Sequence, residues 1–85
     1  MEAIMRLNRA IDKLNEDTYS PQDFHQTLES IIRTITEDDY SKLKNKLLEL
    51  ESELELIDFT VNTENRRSQY LKSVSDFNSW ISKHM

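Results

Sequence analysis

A chain that contains no glycine and a single proline has few residues with which to turn tightly, and strands need tight turns. Such a chain is confined to helical segments joined by short links, so all-α is the expected fold class. Its 85 residues suffice for one domain, spanning 1–85. The core of such a domain is modest, burying about 60–65% of the surface that the unfolded chain exposes, so self-association would help it.

The strongest periodic stretch runs from Tyr40 to Val61. Tyr40, Leu43, Leu47, Leu50, Leu54, Ile57 and Val61 are spaced 3, 4, 3, 4, 3, 4, a heptad seam on one side of a helix expected over about 37–60. With Tyr40 at zero and about 100° per residue, the seam occupies roughly 260–340°, while Leu48, Leu56 and Phe59 fall at roughly 80–160°. Between these faces, Glu51, Glu55 and Asp58 share one flank with Lys44; Lys42, Lys46, Glu49 and Glu53 occupy the other. A helix with two apolar faces is sandwiched, either inside its own bundle or between that bundle and a second chain.

The remaining segments supply helices to pack against it. Ile4, Leu7, Ile11 and Leu14, with Ala3 and Ala10 beside them, form one apolar stripe over about 2–16. Ser20 as N-cap, Pro21 at the first helical position and Asp23 near the positive end of the dipole start a helix over 21–35, whose apolar face is Phe24, Leu28, Ile31, Ile32 and Ile35. Thr36-Glu37-Asp38-Asp39 repeats the start signal for the long helix. After Val61 the seam fails, because Glu64 and Ser68 stand where it would continue. The β-branched run around Thr60–Thr63 marks a break, with Thr63 capping a fourth helix over 63–83 that carries Tyr70, Val74, Phe77 and Ile81; a continuous bent helix is the alternative. The expected architecture is a small antiparallel bundle of about four helices, the third long and apolar on two faces.

Several function classes are argued down by the residue types present. Without cysteine there is no disulfide, thiolate ligand or thiol nucleophile, which fits a cytosolic chain. The charged N-terminus is not a secretory signal, and no apolar run reaches the roughly 18–20 residues of a membrane span. A net charge of −5 opposes direct nucleic-acid binding. No glycine loop or nucleophile elbow is present, so no enzyme activity and no cofactor are expected. Asp23 and His25 lie on different sides of a helix and no His-x-x-x-His or Glu-x-x-His occurs, so no metal site is expected. Phe24-His25-Gln26-Thr27-Leu28 departs from the phosphoacceptor helix of sensor histidine kinases, since Gln26 stands where an acid is needed and no Arg-Thr-Pro follows. His25 is then a histidine at the border of an apolar face.

What remains is binding. The expectation is a non-enzymatic protein-interaction module, a small cytosolic regulator or inhibitor of immunity, antitoxin, anti-defence or chaperone type, that binds another protein and forms a homodimer. Leu48, Leu56 and Phe59 are the expected contact residues, with Trp80 as a candidate interface anchor beside its role in the core. One alternative is an acidic mimic that blocks a nucleic-acid-binding protein, because eight of the sixteen acids lie between Glu37 and Asp58. Its contact residues would be Glu51, Glu55 and Asp58; their position about 160° from Glu49 and Glu53 favours instead two solvated flanks. A structural helical assembly component is the other alternative. Arg66, Arg67 and Lys72 are too few for a nucleic-acid footprint and are expected to answer the acidic end of the long helix.

Overall fold

The computed structural model describes residues 2–35 and 41–84. Four helices follow in order: α1 Glu2–Asn15, α2 Pro21–Thr34, α3 Ser41–Thr60 and α4 Thr63–His84. Among the described residues there is no strand. The expected spans agree with these to within one residue at each described end. The Thr36 cap, the acidic turn Glu37-Asp38-Asp39 and Tyr40 lie outside the described residues.

Short links fold α1 against α2 and α3 against α4 as antiparallel pairs. α2 also packs on α3, α1 packs on α4, and α2 and α4 meet across one diagonal. Each helix brings its apolar stripe to a common core: Leu7, Ile11 and Leu14 from α1, Phe24, Leu28 and Ile31 from α2, and Tyr70, Val74 and Phe77 from α4. α3 contributes Leu43, Leu47, Leu50, Leu54 and Ile57, the described core of the heptad seam, all buried. Val61 and Ile81, at the ends of their stripes, are only half-buried against it. No buried side-chain nitrogen or oxygen among the described residues lacks a hydrogen-bond partner.

The helices end without glycine, and other groups take its place. Asp17 adopts the left-handed conformation at φ 63° that glycine would occupy after a helix, a region aspartate enters more readily than most residues. The Thr18 and Tyr19 N–H groups then both donate to the Lys13 carbonyl, at 2.9 and 3.0 Å. Arg67, far along the chain on α4, completes this terminus: Nη1 donates to the Leu14 carbonyl at 2.6 Å and Nη2 to the Tyr19 carbonyl at 2.8 Å. Arg67 Nη2 also lies 2.7 Å from Asp17 Oδ1. Arg66 does the same for α3, with Nη2 on the Asp58 carbonyl at 2.9 Å and Nε on the Val61 carbonyl at 3.2 Å. The expectation that the basic cluster answers the acidic side chains of α3 is therefore corrected in part. The Arg66 guanidinium reaches the negative end of the α3 dipole through backbone oxygens, and Arg67 serves α1 instead.

At the start of α2, Ser20 Oγ accepts from the Asp23 N–H at 3.1 Å and Asp23 Oδ2 accepts from the Ser20 N–H at 3.3 Å, a reciprocal capping box behind Pro21. α3 and α4 are separate helices rather than one bent helix. Val61 N–H still bonds the Ile57 carbonyl and Asn65 N–H bonds the Asn62 carbonyl, both at 2.9 Å. Asn62 thus stands at the cap position, and Thr63, expected there, is the first helical residue.

These contacts predict an asymmetry. Asp17 is exposed, so Asp17→Asn removes only a screened ion pair and should change stability by less than ~0.5 kcal/mol. Arg67→Ala strips two carbonyls of a charged donor and should cost about 1–3 kcal/mol, read as a lower urea midpoint with the same m value. Equal losses in the two variants would show that the ion pair, not the carbonyl contacts, holds the link.

Candidate functional site

Two features stand out once the core is filled, and both lie on α3. The first is its second apolar face. Leu48, Leu56 and Phe59 are 41%, 62% and 88% exposed, so among the described residues no helix buries them, although α2 borders Leu48. They lie roughly opposite the buried seam, which is why folding the bundle leaves them outside.

Trp80 does not join that face. It stacks on Phe77, with ring centroids 6.3 Å apart, lies 4.9 Å from the His84 ring, and has Lys46 Nζ 5.8 Å from its centroid. Lys46 is about 160° from Leu48 around α3, so Trp80 is half-buried on the far flank.

The second feature is polar and sits where α2, α3 and α4 meet. His25 follows the core residue Phe24, and Glu29 follows Leu28; on α3, Glu51 follows Leu50, Glu55 follows Leu54 and Asp58 follows Ile57. Each polar side chain is thus rotated about 100° from a buried one, onto the shoulder where the helices come together. The His25 side chain is 12% exposed and Glu51 19%, against 44% for Glu29. The flank expected to be solvated is partly covered, because α2 and α4 turn a histidine and a tyrosine toward it.

Hydrogen bonding orders the cluster. Tyr70, fully buried on α4 and edge-on to Phe24 at 6.4 Å, donates its O–H to Asp58 Oδ1 at 2.6 Å. Asp58 Oδ2 lies 3.1 Å from His25 Nδ1, and the Tyr70 oxygen is 3.4 Å from the same nitrogen. On the other edge of the imidazole, Nε2 lies 3.5 Å from Glu51 Oε1 and 3.5 Å from Glu29 Oε1. Burial raises the Glu51 carboxyl above its usual range, assisted by a hydrogen bond from and the charge of Glu55, while His25 pulls it down. Burial and the Asp58 carboxylate raise the Tyr70 phenol far above its usual range.

One ligand atom each from His25, Glu29, Glu51 and Glu55 come within 4.8 Å of one another, a set of donors able to hold a metal ion. The group matches neither a His-x-x-x-His nor a Glu-x-x-His spacing, because its one histidine and three carboxylates come from two separate helices. The available signal was a pair of i, i+4 couples, His25–Glu29 and Glu51–Glu55, each one residue past a core stripe on helices expected to be neighbours. Glu29, Glu51 and Leu48, with Ile32 and Arg33, also line a shallow depression of about 190 Å³, so the two features adjoin.

No family model matches this chain, and comparison with curated proteins and with solved structures finds no match in either. Among the described residues, no helix is long and apolar enough to cross a membrane. Fold and site together define a four-helix bundle with one uncovered apolar helix face beside a histidine–carboxylate cluster.

The Tyr70 contact has a pH consequence. A phenol whose ionisation is raised on folding contributes stability that is complete below the unfolded value, about 10, and is lost as pH climbs toward the folded value. Wild-type melting temperature should therefore fall on going above pH 10, and Tyr70→Phe should flatten that fall while lowering the melting temperature at neutral pH. An alkaline profile unchanged in Tyr70→Phe would contradict the assignment.

Proposed function

We propose that this chain is a non-enzymatic protein-interaction module of regulator or inhibitor type, binding through the Leu48–Leu56–Phe59 face of α3. The observation that carries this reading is the exposure of those three side chains on a helix whose other apolar face is buried. Phe59 is the natural anchor, since an exposed aromatic side chain that finds a pocket contributes more to binding than most contacts. Covering the three would contribute a few kcal/mol at about 25 cal/mol per Å², before the costs of association.

The charge order along α3 favours a second copy of the chain as the first occupant. Lys42 and Lys44 lie toward its N-terminus and the exposed Glu49, Glu53 and Glu55 toward its C-terminus, the reverse of what the helix dipole prefers. Two α3 helices packed antiparallel through this face bring each lysine end against the partner's acidic end. The acidic-mimic reading has less support, because His25 and Tyr70 occupy Glu51 and Asp58 within the chain.

Sedimentation equilibrium tests the proposal. Wild-type protein in chelator-containing buffer should show a monomer–dimer equilibrium, and Phe59→Asp should shift it to monomer with unchanged helix content, since the side chain leaves no hole in the core. A wild-type monomer at the highest attainable concentration would remove the homodimer. Growth beyond a dimer would favour an assembly component.

A further inference from the structure

We propose that His25, Glu29, Glu51 and Glu55 form a binding site for one divalent transition-metal ion of zinc type, which clamps α2 to α3. The donor chemistry of the imidazole points there. Asp58 is an acceptor, and the Tyr70 O–H is already donated to its other oxygen, so the hydrogen between His25 and Asp58 must come from Nδ1. A neutral His25 then presents its Nε2 lone pair to Glu29 and Glu51, whose nearest oxygens are acceptors as well. Glu55 adds a third carboxylate to the same space.

Four electron-pair donors that face one another need an electrophile among them. Three can serve: a proton on Nε2, a proton held between Glu51 and Glu55, or a metal ion. One proton answers only part of the charge of three carboxylates, and among the described residues no lysine or arginine forms a salt bridge with Glu29, Glu51 or Glu55. A divalent ion satisfies all four donors at once. The spacing is also suitable, because bonds of about 2.0–2.1 Å to a tetrahedral ion place neighbouring ligand atoms roughly 3.3 Å apart. Nε2 is already 3.5 Å from one oxygen of Glu29 and one of Glu51. Glu55 is exposed, and one of its carboxylate oxygens already lies within 4.8 Å of the other three ligand atoms, in reach of the fourth position.

The mixed set of one imidazole and three carboxylates, without sulfur, suits zinc, manganese, cobalt or ferrous iron better than calcium or magnesium. The Tyr70–Asp58–His25 chain supplies the outer support that metal-bound imidazoles ordinarily have, with the non-ligating nitrogen donating to a carboxylate. The partly exposed Glu29 and Glu55 leave an open side through which an ion can enter.

The experiment is a calorimetric titration of the full, chelator-stripped chain with zinc chloride at pH 7, with melting temperature and histidine NMR recorded alongside. One ion per chain should bind and raise the melting temperature, and His25 should carry a hydrogen on Nδ1 only in the zinc-bound form. Glu55→Gln, at an exposed position and with helix content checked, should weaken zinc at least tenfold, and Asp58→Asn should weaken it about 10–100-fold through the imidazole. Cobalt(II) should give visible bands of four- or five-coordinate intensity. Unchanged affinity in Glu55→Gln, zinc binding without a rise in melting temperature, or an imidazole that keeps both ring hydrogens in excess zinc would each overturn the site. Because dimerisation is measured in chelator, neither result decides the other.

Discussion

Burial of a single seam, Leu43, Leu47, Leu50, Leu54 and Ile57, orients α3, and the positions of nearly every other feature follow from that orientation. With one side of a 20-residue helix committed to the core, its opposite side has to face outward and its two shoulders have to meet the neighbouring helices. Leu48, Leu56 and Phe59 are therefore exposed for the same reason that Leu50 and Leu54 are not. The shoulder carrying Glu51, Glu55 and Asp58 falls against α2 and α4, while Lys46 on the opposite shoulder meets Trp80.

The lack of glycine shapes how the bundle closes. Helices commonly stop on a left-handed glycine, and here Asp17 takes that conformation, with Arg66 and Arg67 supplying donors to carbonyls that would otherwise look only to water. Both arginines sit in the first turns of α4, so the same short stretch finishes α3 beside it and α1 across the bundle. Helix termination in this chain is consequently a tertiary property. Docking α4 and ending α1 are one event, with the guanidinium fork of Arg67 spanning three partners.

The polar cluster and the apolar face are neighbours on one helix, joined through the depression between Glu29, Glu51 and Leu48. An ion held by α2 and α3 would stiffen the scaffold on which the apolar face is displayed, and a face carried by a rigid element loses less entropy when it is covered. The Tyr70–Asp58–His25 chain contributes the same stiffening from α4, since a buried hydroxyl with a single well-placed acceptor has one orientation.

The sequence by itself determined the class of fold, the helices at their described ends and most residues of the core; Ile4, Val61 and Ile81, on the same stripes, are only half-buried. Fold class, helix ends and core stripes depend on local chemistry, on periodicity and on near neighbours such as Ser20, Pro21 and Asp23, all of which can be read along one strand of text. It also identified Leu48, Leu56 and Phe59 as a second face, because the angle around a helix is set by residue number alone. The tertiary structure decided what the charged residues do. That Arg67 would end α1 rather than answer α3, that Asp58 would meet Tyr70, and that His25 and Glu29 would face Glu51 and Glu55 all depend on which shoulders of separate helices come together. Hydrophobic burial is non-directional and leaves a periodic trace in the chain, whereas hydrogen bonds and ligand sets that join separate helices depend on atoms distant in sequence, and their pairing leaves no such trace.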